Sequence, residues 1–292
     1  MKLIIQIPCF NEEKTLPATI KDLPRKIDGF SEIEYLVIDD GSTDKTYETA
    51  RRLGVHHIIQ LGSNRGLATA FKIGIEYALD QGANVIVNTD GDNQYYGQDI
   101  EKLVLPILEK KADIVVGCRP IKNHPEFSFI KKVLQLFGSW TLRKISKTNV
   151  RDASSGFRSF SRETCQRLNT FSQFSHTMEV LIQAGNMGLR LKSVDIRINK
   201  KTRESRLFKN IIEFLTKSTG TIIMMFFLYR PARFFTFCSC FFFGPAIFIG
   251  LRFLYFIYLN PDPSRTYLPS LILLSILSWA GFTLISLGMI GI

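Results

Sequence analysis

Cysteine is scarce and badly spaced for structural chemistry: five residues in 292, at positions 9, 118, 165, 238 and 240. An odd, scattered set indicates no disulfide framework, as expected of a cytosolic domain. Cys238 and Cys240 have no companion ligand that would complete a zinc site. The four histidines, His56, His57, His124 and His176, have neither metal-ligand nor triad spacing. No Gly-x-x-x-x-Gly-Lys loop is present, so phosphates are not held as in P-loop enzymes. No Gly-x-Gly-x-x-Gly follows the first apolar run, which weakens a dinucleotide-binding reading. Internal repeats and low-complexity tracts are missing too. The opening MKLIIQIPCFNEE has too short an apolar run for a signal peptide.

Charge is absent from two long stretches near the C-terminus. Phe234–Leu251 has none, and from Tyr267 to Ile292 the only ionisable side chain is Tyr267. At about 1.5 Å per helical residue each can cross a hydrocarbon core of roughly 30 Å. The intervening Asn260–Thr266, with Pro261 and Pro263, suits a helical hairpin. Positive charge accumulates just before the first stretch: Arg197–Arg233 holds nine Lys or Arg against two acids. The positive-inside rule then puts the N-terminal part in the cytoplasm, making an integral membrane protein with two spans. A net charge of +11 can also signal nucleic acid, but these basic residues abut a span and interleave with apolar ones. A lipid bilayer with anionic head groups, or a phosphate-bearing lipid, explains them better. Gly281, Gly288 and Gly291 permit close helix packing and, with it, a homo-oligomer.

Residues 1–120 alternate between strand-length apolar runs and helical stretches, as a parallel sheet with crossover helices requires. The strands are expected at Leu3–Ile7, Tyr35–Asp39, His56–Leu61, Asn84–Asn88 and Asp113–Gly117, with a further one at Leu191–Ile198. Helices are expected between them, over Phe129–Ile145 and within Ser175–Gly188. Val150–Glu163 reads as a loop entering a helix, and Leu207–Leu228 as a helix lying in the membrane interface. The expected division is a catalytic domain over 1–198, a basic loop with interfacial helix over 199–233, and a two-span hairpin over 234–292.

Ligands of such sheets bind at the carboxyl ends of the strands, where the polar clusters of this chain fall. The pair Asp90-Gly91-Asp92 is either a polar turn or a cation site. With Asp40 and Arg119 at neighbouring strand ends, the cation site is favoured. Two carboxylates repel a diphosphate, whereas Mg²⁺ or Mn²⁺ between them holds it and neutralises it as it departs. An activated sugar, a nucleotide-diphospho-sugar donor, fits this chemistry.

Six segments in order, PCFNEE (Pro8–Glu13), VIDDGSTD (Val37–Asp44), NRGLATAF (Asn64–Phe71), DGDNQ (Asp90–Gln94), VGCR (Val116–Arg119) and DASSGFRSFSR (Asp152–Arg162), resemble the motifs of family 2 inverting glycosyltransferases. With the basic segment and two spans, the chain is similar to the polyprenyl-phosphate glycosyltransferases of the dolichyl-phosphate mannose synthase type. The resemblance implies an α/β GT-A fold with a mostly parallel sheet, flanking and interfacial helices and two transmembrane helices. It further implies that Pro8, Phe10, Glu12, Ile38 and Asp40 surround the base and ribose, Phe10 replacing the usual Tyr. Asp90, Asp92 and Gln94 would hold the metal and donor, and Arg119 would meet the diphosphate. Asp152 falls on the acceptor side. Lys200 and Arg206, with Arg203 between them, would position the phosphate of a polyprenyl phosphate of undecaprenyl or dolichyl type.

Other residues have plainer readings. Asp39 ends a buried strand and is structural. Arg158 and Arg162 either fix their loop by pairing with carboxylates or touch substrate, and Glu179 is a scaffold residue. A sugar hydroxyl acceptor would need a general base, for which Asp152 is the candidate; a lipid phosphate is already anionic and needs orientation. The runner-up activity is transfer to a lipid-linked glycan, although no Q-x-x-R-W segment marks a processive enzyme. A non-catalytic membrane recruitment domain is the third reading.

Overall fold

The computed structural model describes residues 1–120, 148–168, 176–199, 230–259 and 266–291, with Arg143, Ser146 and isolated positions between 219 and 228. The helix expected over Phe129–Ile145, the basic residues Lys200, Arg203 and Arg206, most of Leu207–Leu228 and most of the Asn260–Thr266 loop lie outside them. Contacts divide the chain into two units, Met1–Lys217 and Ser218–Ile292.

The first unit is built on a seven-stranded sheet: β1 (Lys2–Cys9), β2 (Glu32–Asp39), β3 (His57–Gln60), β4 (Val85–Asn88), β5 (Ile114–Cys118), β6 (Arg158–Ser161) and β7 (Leu191–Asp195). Their order is β3-β2-β1-β4-β6-β5-β7. All neighbours pair in parallel except β6, which runs antiparallel between β4 and β5. The apolar runs are continuous because both faces are covered. Leu3, Ile5, Ile7, Val37, Val85, Val87 and Val115 face a core closed by Leu103, Val104 and Ile107 of α4 (Ile100–Leu108). On the other face lies α3 (Leu67–Asp80), whose Phe71 meets Phe160 of β6 edge-on at 5.8 Å. Shorter helices α1 (Leu16–Asp22), α2 (Thr46–Arg52), α5 (Arg162–Arg167) and α6 (His176–Asn186) complete the described set.

Strand β6 corrects the expectation of a plain loop over Val150–Glu163. Its four residues carry no clear alternation, and they form a strand because β4 and β5 present edges that need hydrogen-bonding partners. The register sets Arg158 beside both Asn88 and Val116, so the start of β6, not its end, lies at the carboxyl ends of its neighbours. The expected last strand is also shorter, stopping at Asp195.

The second unit contains α7 (Pro231–Tyr258) and α8 (Leu268–Ile290), both long and apolar enough to cross a membrane. Gly281 faces the Phe243 ring and Gly288 faces Ala232 and Phe235, so close that a Cβ on either would crowd α7. These glycines therefore serve packing within one hairpin, and they supply no argument for a homo-oligomer.

Candidate active site

Strand order reverses between β1 and β4, the place at which open sheets of this kind bind ligands beyond the strand ends. The loops after β1 and β2 are clamped together there. Asn11, held at φ 57°, accepts hydrogen bonds at Oδ1 from the Thr43 amide at 2.8 Å and the Asp44 amide at 3.3 Å. Its own amide donates to Ser42 Oγ. Pro8 lies opposite Ile38 and the Asp40 amide reaches Cys9 O, so the five residues expected around the nucleotide belong to adjoining strand ends. Several of them are already engaged, and the buried Glu12 carboxylate accepts the Thr15 hydroxyl. The Ile38 side chain is buried against α3 beneath Gly74, and only its main chain could meet a base. Asp40 accepts the Arg65 amide at 2.8 Å and the Gly66 amide at 2.9 Å, tying down the start of α3. Burial lifts its carboxyl above the usual range despite both bonds. Asp39 is fully buried and accepts the Ser42 amide.

After β4 the chain turns at Asp90-Gly91-Asp92. A side chain at Gly91 would lie 2.9 Å from Cys9 Sγ and 3.3 Å from Glu12 Cγ, so only glycine lets this loop settle on the one after β1. Thr19 Oγ1 donates to Gly91 O at 3.0 Å, and the Gln94 amide donates to Asp92 Oδ1 at 3.2 Å. Burial, then the charge of Asp92, pushes the Asp90 carboxyl up to about 7, against the pull of Arg119 and a hydrogen bond from Tyr95. A buried carboxylate that also feels the charge of its neighbour is relieved by a divalent cation, so these residues fit Mg²⁺ or Mn²⁺. Among the described residues no group of three or more His, Cys, Asp or Glu could enclose an ion. An ion here would complete its shell with oxygens from water and phosphate.

Arg119, beyond β5, and Asp152, ahead of β6, meet at the same end of the sheet. Arg119 Nε lies 2.8 Å from Asp152 Oδ2 and Nη2 lies 3.0 Å from Oδ1, a bidentate pair. Nη2 also donates to Ser154 Oγ at 2.7 Å, and Ser154 donates to Asp152 Oδ1 at 3.0 Å. Burial alone would raise the Asp152 carboxyl, but Arg119 outweighs it and holds it below the usual carboxylate range.

Tyr95 is a site residue that the sequence did not disclose. Its ring stacks on Phe157 at 4.9 Å, and its hydroxyl accepts the Gly156 amide at 3.1 Å while bonding to Asp90. It thus joins the Asp90–Asp92 turn to the Asp152–Phe157 lead-in. The only hint was a tyrosine close behind an acidic turn. Arg158 settles as scaffold by another route than carboxylate pairing: it donates to the carbonyls of Ser155, Thr177 and Ala153. Arg162 likewise donates to Leu79 O and Ala83 O. Glu179 is fully buried on α6, where its Oε1 accepts from Gln183.

Residues 4–168 match the family described as glycosyl transferase family 2. The chain is a family 2 glycosyltransferase. A relative, the UDP-N-acetylglucosamine–dolichyl-phosphate N-acetylglucosaminyltransferase of Methanococcus voltae, is 29% identical over 213 residues, covering 65% of this transferase and 83% of that one. The undecaprenyl-phosphate mannosyltransferase of Micrococcus luteus is 24% identical over 223 residues, covering 73% and 90%. Among solved structures, glucosyl-3-phosphoglycerate synthase of Mycobacterium tuberculosis, in complex with Mn²⁺, uridine diphosphate and phosphoglyceric acid, superposes with a TM-score of 0.58 at 16% identity over 77% of each chain. At that identity the likeness is one of fold, and it is the GT-A fold the motifs implied.

Proposed function

We propose that this transferase moves a sugar, with inversion, from a UDP- or GDP-sugar to a polyprenyl phosphate at the cytoplasmic membrane face. The observation that carries the reading is the Arg119–Asp152 pair. A carboxylate with both oxygens engaged and its basicity lowered is a poor acceptor of a hydroxyl proton. An acceptor that arrives as a phosphate anion needs no such base. The names of the two relatives, both acting on lipid phosphates, point the same way.

In this reading Pro8, Phe10, Glu12 and Asp40, with the Ile38 main chain, frame the nucleoside. Asp90 and Asp92 with Gln94 would hold Mg²⁺ or Mn²⁺, which would supply charge neutralisation for the departing diphosphate. Arg119 spends Nε and Nη2 on Asp152 and Ser154 and turns Nη1 to the diphosphate. Asp152 fixes that guanidinium and orients the acceptor, whose phosphate is drawn in by Lys200, Arg203 and Arg206. The oxygen of the lipid phosphate attacks the anomeric carbon in line as the bond to the nucleoside diphosphate breaks. The hairpin of α7 and α8 keeps the catalytic domain, residues 1–198, on the basic side of the bilayer.

The test is to incubate the purified protein with labelled UDP- and GDP-sugars, polyprenyl phosphate and Mn²⁺. An acid-labile polyprenyl monophosphate sugar of inverted anomeric configuration is the expected product. Label appearing only on an already glycosylated lipid would favour the glycan-extending alternative. No turnover of any donor by folded protein would end the proposal.

A further inference from the structure

Strands covered on both faces call for apolar residues, yet β1 and β4 set two amides side by side at the middle of the sheet. Gln6 and Asn88 lie opposite each other in the β1–β4 register, and both are fully buried. Side chains alternate along a strand, so these two face α3 while Ile5 and Val87 face the α4 core. Gln6 fits there only because position 74 of α3 is glycine, since a Cβ on Gly74 would collide with Gln6 Oε1. That oxygen has no hydrogen-bond partner among the described residues, a cost that two apolar side chains would avoid.

The two amides form a directed chain toward the candidate metal turn. Gln6 Nε2 donates to Asn88 Oδ1 at 2.9 Å, which turns the other end of the Asn88 amide toward Gly156. Asn88 Nδ2 then donates to Gly156 O at 2.9 Å. The β4–β6 ladder ends at Asn88 and Arg158, so the Asn88 side chain adds one cross-strand bond where the backbone pairing stops. The Gly156 amide donates to the Tyr95 hydroxyl, and Tyr95 bonds to Asp90. Gly156 also stands directly against the Asp90 carboxylate.

We infer that Asn88 is a positioning residue for Asp90. By holding the Gly156 carbonyl it keeps the Gly156 peptide against Asp90 and the Tyr95 hydroxyl aimed at it, so the carboxylate is preset for a divalent cation. Both ends of the Asn88 amide are engaged, one by Gln6 and one by Gly156, and its action is through Gly156 rather than as a ligand. Gln6 fixes which end of that amide faces Gly156. The inference rests on the cation site at Asp90 and Asp92 proposed above.

The experiment uses the full chain in lipid nanodiscs. Mn²⁺ binding is read by electron paramagnetic resonance with UDP present, and thermal midpoints are read with neither. Asn88→Leu keeps the branched shape but strips the Gly156 carbonyl of its donor, and should weaken Mn²⁺ binding by about ten-fold, the scale of losing a group that orients a ligand. It also strands the buried Gln6 amide and should lower the midpoint. Adding Gln6→Met removes the stranded amide and should recover much of the midpoint, while Mn²⁺ binding stays about ten-fold weaker. Gln6→Met alone leaves Asn88 Oδ1 unpaired but the Gly156 bond in place; the midpoint should fall with Mn²⁺ binding within about two-fold of the unaltered protein. Mn²⁺ affinity that follows the midpoint across these variants, or that is unchanged in Asn88→Leu, would overturn the role of Asn88 while leaving the cation site standing. No Mn²⁺ binding by the unaltered protein would remove both.

Discussion

The Arg119 guanidinium and the Asp152 carboxylate, 33 residues apart, form a two-pronged pair in which the carboxylate is 1% exposed. Removing either partner strands a buried charge, so Asp152→Asn and Arg119→Gln should each destabilise by about 3 kcal/mol. The double variant should cost clearly less than the two losses combined, because neither charge is then left alone. Denaturant melts of the four proteins check this. In a pH–rate profile of the unaltered enzyme, no limb should belong to Asp152 between pH 5 and 9, since Arg119 holds its titration below the usual carboxylate range.

Asp92 and Asp90 repel one another in the absence of a cation. Asp92→Asn relieves that repulsion and should leave the thermal midpoint unchanged or raised. It should lower Mn²⁺-dependent turnover by about 100-fold or more, the scale of losing a group that holds a charge-stabilising ion. Circular dichroism and a metal titration of turnover test both halves. Normal turnover by this variant would refute the cation site.

Gly156 stands against Asp90, and a Cβ there would lie 3.1 Å from Asp90 Oδ1. Gly156→Ala should push that carboxylate aside by a few tenths of an ångström. The expected result is turnover reduced by at least about ten-fold, with a stability loss near 1 kcal/mol or less. The midpoint for Mn²⁺ should rise with it, which distinguishes a displaced ligand from a general loss of structure.

His176 is buried on α6, its ring stacked 4.2 Å from Phe71, and its Nε2 has no hydrogen-bond partner among the described residues. Burial, helped by the nearby Arg158 charge, depresses its pKa to about 3. The unfolded chain takes up a proton near pH 6.5 and the folded one does not, so the unfolded state is favoured progressively as pH falls from about 6.5 toward 3. Stability should decline by at most about 1.4 kcal/mol per pH unit in that window and be insensitive to this residue above it. His176→Phe keeps the stack and should flatten the slope between pH 6 and pH 4, as read from thermal midpoints.

What the sequence disclosed and what it withheld divide along physical lines. The parallel strands announce themselves because burial on both faces demands unbroken runs such as Leu3–Ile7, and the motifs at their ends are local strings. The two apolar helices were legible for the same reason. Strand β6 was not, since four residues of mixed polarity become a strand only through neighbours 70 and 42 residues away in sequence at its start. Contacts between distant segments were equally hidden. Nothing local marks Arg119 for Asp152 or Tyr95 for Gly156, since each depends on where the sheet carries its partners. The glycines of α8 were legible as positions of close helix packing, but the partner they meet, α7, is named only by the fold.

Strand β6 has a consequence for how this enzyme should fail on heating. It is enclosed on both sides by β4 and β5, Arg158, Ser159 and Phe160 are fully buried, and Ser159 Oγ donates to Leu103 O of α4. Its amides belong among the slowest to exchange in heavy water. The Asp152–Phe157 lead-in is continuous with this strand, so inactivation should coincide with melting of the whole sheet rather than precede it.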